Sequence, residues 1–220
     1  MIRTKINQML NFLSCTTEEK DIIFRTSRLI IYFFILLFEV LILWKVAKQY
    51  NASTFSEHGP IENCQLVVLA VTSLLFLKDA IRNKEYRPLL LFLSSLTLFA
   101  TIREQDHFFE KIFPVISWKF AWLFPLTAVY YAFKKRAGLK KIFFFFLNSS
   151  AFQLMFMAMI VFIPVAQCIG HRSFIANAVG SSENLIFIRR MIEESTELTA
   201  YLIILLSSIE MHLSLKKRNQ

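Results

Sequence analysis

The chain has 220 residues, 55% of them hydrophobic and 24 of them Phe, with a formal charge of +9. A soluble domain carries roughly a quarter charged residues, against 19% here, so composition excludes an ordinary soluble enzyme and points to a membrane protein. The Lys and Arg residues stand in short clusters between apolar runs rather than along one face, which excludes a nucleic-acid-binding module.

Residues 1–27 read as an amphipathic segment on the cytoplasmic surface, with Ile2, Ile6, Met9, Leu10 and Leu13 at near-helical spacing. Thr16 or Thr17 is expected to cap a short helix through Glu18, Glu19, Lys20 and Asp21. No compact apolar core with a small-residue cleavage site precedes it, so the first spanning helix is expected to serve as the insertion signal. That span covers about 29–47 and holds Glu39 at membrane depth, where a carboxylate needs either a partner or a proton.

A polar loop ending in Gly59-Pro60 leads to a second span at about 62–81, along which Glu62, Gln65, Thr72 and Asp79 recur as a stripe that should face other helices. The third span, about 89–102, carries Ser94, Thr97, Thr101 and Glu104 on one side and ends in Arg103, Glu104, Asp106 and His107. It is close to the shortest helix that can cross a bilayer. A fourth, about 113–133, has Trp118 and Trp122 near one end, Tyr130 and Tyr131 near the other, and Lys119 within reach of the interface.

After the most basic link of the chain, 134–141, a fifth span of about 142–169 is longer than one crossing needs, so a kink or tilt is expected. A sixth span of about 194–215 closes the chain, and Ser195 is expected to cap or pack its start. The fold class is therefore all-α: one membrane domain of six spans with an N-terminal surface helix. The basic links after spans two and four, together with the basic tail, put both termini in the cytoplasm.

With that orientation, Glu62, Gln65, Arg103, Glu104, Asp106, His107, Lys119, Glu193, Glu194, Glu197 and Tyr201 all fall toward outer helix ends and form the candidate binding site. Glu193 and Glu197 are one helical turn apart, and Tyr201 continues the Glu197 face. Ionisable residues at such depth are functional candidates by default. An acid-lined pocket suits a proton, a small cation or a basic lipid headgroup, although no internal repeat of the transporter type is visible.

A second reading is a metal-assisted hydrolase of a lipid or lipid-linked substrate. It would use a divalent metal on Glu104, Asp106, His107, Glu193 and Glu197, with Glu104, Asp106, Glu193 and Glu197 as catalytic candidates. No HExxH or CxxC spacing marks such a site. A third is a structural charge network in which Arg103, Lys119, Arg172, Arg189 and Arg190 pair the acids.

No Gly-x-Ser-x-Gly elbow surrounds Ser94, Ser149 or Ser195, and His58 and His212 lie away from the outer group. The three cysteines lack metal-type spacing; Cys64 and Cys168 alone lie where an outer disulfide is conceivable.

The pattern Arg103-Glu104-x-Asp106, Trp118-Lys119 and Glu193-Glu194-x-x-Glu197-Leu198 resembles a group of small, poorly characterised bacterial inner-membrane proteins, over most of the chain after Glu62. The resemblance implies the bacterial inner membrane and little about activity. Membrane hydrolases of the alkaline ceramidase type are not matched, because their paired C-terminal His is missing.

Overall fold

A computed structural model of the chain describes residues 16–48, 52–55, 59–112, 117–169 and 185–218. Among these residues there is no strand. The helices in order are α1 (Thr17–Lys48), α2 (Pro60–Arg82), α3 (Arg87–Glu104), α4 (Asp106–Ile112), α5 (Leu123–Lys134), α6 (Leu139–Leu147), α7 (Ser150–Ile160) and α8 (Leu185–Arg218). Short 3-10 turns occupy Ala52–Phe55 and Ser117–Trp122, and Val161–Ile169 continues α7 with π-helical winding. The described residues fall into two compact units, Met1–Trp44 and Lys45–Gln220. Residues 1–15, on which most of the predicted surface segment falls, lie outside the described residues.

In the first unit, the expected short helix at Glu18–Asp21 is not separate from the first span. One helix of 32 residues runs unbroken from Thr17. Thr16 caps it reciprocally with Glu19: the Glu19 N–H donates to Thr16 Oγ1 at 3.2 Å, and the Thr16 N–H donates to Glu19 Oε2 at 2.6 Å. This capping box satisfies two N–H groups that the helix itself leaves unbonded. With no Gly or Pro downstream, nothing interrupts the winding. Glu39 is buried and has an interaction partner.

The second unit is built on α2, which packs against both α3 and α8. α2 and α3 form a tight hairpin pinned by two serines. Ser73 Oγ donates to the Ser94 carbonyl at 3.0 Å, and Ser94 Oγ donates to the Ser73 carbonyl at 2.9 Å. Small hydroxyl residues let the backbones approach and hold them there. α8 packs on α2 and α7, and α5 packs on α3. One apolar cluster, including Phe76, Tyr86, Leu90, Ile142, Phe146 and Met211, fills the middle of one end.

The predicted count of six spans is corrected. Three helices, α1, α2 and α8, are long and apolar enough to cross a membrane, or four if the bent pair α6–α7 is one span. α3 has 18 residues but carries Arg87, Arg103 and Glu104. α5 has only 12 residues, about 18 Å of helix, because the chain before it winds as a 3-10 turn. The fifth predicted span bends by 72° between α6 and α7, at Asn148-Ser149 rather than solely at Pro164. There Ser149 Oγ accepts from the Phe152 N–H and starts α7 afresh. The last helix begins at Leu185, well before the expected start near 194, since no Gly or Pro separates 185 from 194.

The polarity of this unit is inverted relative to a water-soluble bundle. Gln65, Thr72, Ser207 and Ser208 have no exposed surface and Asp79 and Glu210 almost none, while Val67, Leu74, Leu123, Phe133, Phe144 and Ile160 face outward. Water would drive the reverse arrangement. Three basic segments meet at one end, where Glu85 takes Lys141 at 3.0 Å and Arg218 at 3.9 Å, and the Arg218 guanidinium lies over the Tyr86 ring. Glu104 of α3 and Glu193, Glu194 and Glu197 of α8 lie at the other end.

Candidate functional site

Gln65, Arg103, Glu104, Glu194, Glu197 and Tyr201 come together where the first turns of α2, the last turn of α3 and the upper part of α8 converge. Gln65 is wholly buried, and its Nε2 donates to the Glu194 carbonyl at 3.0 Å and to Glu194 Oε2 at 3.1 Å. Its carbonyl oxygen, Oε1, is buried and has no hydrogen-bond partner among the described residues. Tyr201, one turn below Glu197, donates its hydroxyl to Glu104 Oε1 at 2.7 Å, a charge-assisted bond that ties α8 to α3.

Arg103 Nη2 stands 3.7 Å from Glu104 and 3.9 Å from Glu197, and its guanidinium lies 5.8 Å from the centre of the Phe162 ring. Phe162, in the π-helical stretch, also packs on Tyr201. The wider winding there turns an aromatic face toward the cation. Sequence reasoning missed Phe162; only the π winding carries it to the cluster.

The other predicted members are placed differently. Glu62 is partly exposed and adds to the negative field at Glu104 and Glu194. Glu193 is drawn aside into an ion pair with Arg189 at 3.3 Å, one turn back on the same helix. Asp106 is exposed on α4, where its charge acts on Arg103 and Glu104, and Lys119 is exposed on the turn before α5. The side chain of His107, and all of His58, His171 and Arg172, lie outside the described residues.

Among the described residues no three of the His, Cys, Asp and Glu side chains are grouped to hold a metal ion. Of the expected ligand set, Glu104 and Glu197 lie in the cluster, Glu193 in an ion pair and Asp106 exposed on α4, while the His107 side chain lies outside the described residues. The serines have structural duties: Ser94 pins the hairpin, Ser149 caps α7, and Ser195, expected at a helix start, lies inside α8 and accepts from Thr199 through its carbonyl. Cys64 is an exposed free thiol, and the Cys168 side chain lies outside the described residues.

At the other end of the α2–α8 seam lies a pair that the sequence reading left out. Asp79 is almost completely buried, and its Oδ1 is 2.7 Å from His212 Nδ1; its Oδ2 has no hydrogen-bond partner. Gln65 meets Glu194 and Asp79 meets His212, so α2 and α8 run in the same direction. Asp79 lies about 21 Å further along α2 than Gln65 at the helical rise per residue. The signal was present in the sequence, since Asp79 continues the Glu62, Gln65, Thr72 stripe, but its partner depended on how the two helices align.

The cluster can accept hydrogen bonds or positive charge: three carboxylates from α3 and α8 act on one another, Arg103 bridges two of them, and the Gln65 amide of α2 holds the third. Compared with protein-family models, with curated proteins and with solved structures, the chain matches none.

Proposed function

We propose that this chain is an integral protein of the cell inner membrane, with cytoplasmic termini, that binds a proton or small cation at the acidic cluster between α2, α3 and α8. The observation that carries the reading is Gln65 Oε1, wholly buried and without a hydrogen-bond partner among the described residues, on the amide whose nitrogen bonds Glu194. A buried acceptor left unsatisfied costs about 1–3 kcal/mol, and carboxylates gathered out of water repel one another. A bound cation or an added proton relieves both costs at once.

Several features support the membrane placement. Polar side chains turn inward and large apolar ones outward, and the basic links collect at one end, as the positive-inside rule requires. α2 and α8 run in the same direction, as they do when the bent α6–α7 pair makes one crossing between them. The bacterial setting follows from the resemblance described for the sequence.

The experiment is a melting series of the purified chain in sodium, potassium and methylammonium chloride at constant ionic strength, repeated at several pH values. A saturable rise with one cation, or a pH dependence in its place, is expected for the wild type and is expected to vanish in Glu194→Gln/Glu197→Gln. Equal melting under every condition would remove the reading.

A structural network is favoured by the Arg103–Glu104–Tyr201 contacts, and it makes the opposite forecast for stability. If the cluster is structural, Glu197→Gln lowers the melting temperature by several degrees; if it binds a ligand, the same change is neutral or stabilising, because electrostatic repulsion is relieved. The metal-assisted hydrolase gains no support from the positions of its expected ligands.

A further inference from the structure

At the basic end of the second unit, two cavities share a wall. One, of about 430 Å³, is a cleft among α3, α5 and α6 with apolar sides formed by Leu89, Phe92, Val129, Ala132, Phe133 and Phe143. The other, of about 510 Å³, is a chamber bordered by Lys84, Arg87, Tyr131, Lys135, Gly138 and Lys141. Pro88 and Ile142 line both, so the cleft opens beside the chamber.

We propose that the two together form a binding site for an anionic phospholipid, its phosphate in the basic chamber and an acyl chain in the cleft. Of the chamber's four cations, Arg87 donates to the Ala80 and Ile81 carbonyls at the end of α2, at 3.0 and 3.2 Å, and Lys141 pairs at 3.0 Å with Glu85, the one acid there, which Arg218 also approaches at 3.9 Å. Lys84 and Lys135 leave the chamber an excess of positive charge that suits an anion. The chamber also lies at the N-terminus of α6, where Gly138 is the capping residue at φ 96° and offers no side chain to the first-turn N–H groups. Those dipoles add positive potential on the same side as the lysines.

A free phosphate would satisfy the chamber but leave the cleft unexplained, whereas an acyl chain alone would gain nothing from the cations. A diacyl lipid with a negative headgroup uses both, and basic pockets between helices on the cytoplasmic side suit such headgroups. The arrangement also agrees in sign with the cytoplasmic placement of the 134–141 link. This inference rests on the membrane placement proposed above but not on the acidic cluster at the other end.

The test uses the full chain in detergent, titrated with phosphatidylglycerol or phosphatidylethanolamine of identical acyl chains and read by native mass spectrometry. Phosphatidylglycerol is expected to be retained roughly tenfold more tightly or better, from the contribution of each basic residue near a headgroup. Lys84→Gln/Lys135→Gln, two exposed positions, should abolish that preference. Ala132→Trp fills the cleft without touching charge and should weaken both lipids; Phe143→Ala, at an exposed wall residue, makes the same comparison without added bulk.

Equal retention of the two lipids, an unchanged preference in the double variant, or phosphatidylglycerol binding indifferent to both cleft variants would each overturn the proposal. So would inorganic phosphate raising the melting temperature as much as phosphatidylglycerol, which would make the chamber a soluble-anion site, and so would preferential capture of an acidic peptide. Extraction of native membranes at alkaline pH separates this from the broader reading: release of the chain removes the membrane placement itself, whereas retention with indifferent lipid binding removes the lipid site alone.

Discussion

Asp79 and His212 show how much depends on single side chains in a bundle whose interior is polar. Asp79 has one oxygen against His212 and one without a partner, and almost none of its surface reaches solvent. Removing His212 leaves the acid with neither oxygen paired, and breaking a buried pair by deleting one partner costs about 3–5 kcal/mol. His212 is itself about one-third exposed, which lowers the expected loss to roughly 2–3 kcal/mol. His212→Ala should therefore unfold at clearly lower temperature than wild type, while Asp79→Asn/His212→Ala recovers part of the difference. Equal stability of the single variant and wild type would show the pair to be energetically idle. At the acidic end the polar and charged residues were readable one by one in the sequence. Which of them touch was not: Glu193, one turn from Glu197, is captured by Arg189 instead.

Among the elements, the link between α2 and α3 couples to the start of α6 and the end of α8 through Glu85. The Lys141 ammonium, hydrogen-bonded to Glu85, holds that carboxyl below its ordinary range, with the Arg218 charge adding to the effect. Because the folded value lies below the unfolded one, the link contributes stability at pH above the ordinary carboxylate range and loses it as pH falls through the depressed folded value. The difference in melting temperature between wild type and Glu85→Gln should accordingly be largest near neutral pH and shrink on acidification. A difference that persists unchanged at pH 3 would show that Glu85 acts by some other route. The element boundaries were the least legible part of the sequence. A cap at Thr16 or Thr17 was visible in the sequence, but neither its reciprocal bonding to Glu19 nor the continuity of α1 was, since a cap says where a helix starts and not how far it runs. The break at Ser149 was similarly hidden, because Asn-Ser-Ser inside an apolar run reads equally as a polar patch on a continuous helix.

For the whole molecule, orientation is the property with the widest consequences, since the acidic and basic sites take their meaning from the face each occupies. Cys64 lies exposed in the first turns of α2, near the acidic end. In a Cys15→Ser/Cys168→Ser background, a membrane-impermeant maleimide should label it in intact cells. Labelling only after the membrane is breached would invert the orientation and place the acidic cluster on the cytoplasmic side.

The sequence by itself determined the class and polarity of the molecule: an apolar helical chain, basic clusters between its runs, and acids near the opposite helix ends. These follow from composition and period, which every residue reports locally. Only the tertiary structure decided that Gln65 meets Glu194, that Tyr201 reaches Glu104, that Asp79 finds His212, and that two cavities adjoin at the basic end. Such pairings depend on the relative direction and axial alignment of α2, α3 and α8. A helix repeats its side-chain pattern every turn, and sliding one helix by a turn past another preserves the pattern while changing every contact.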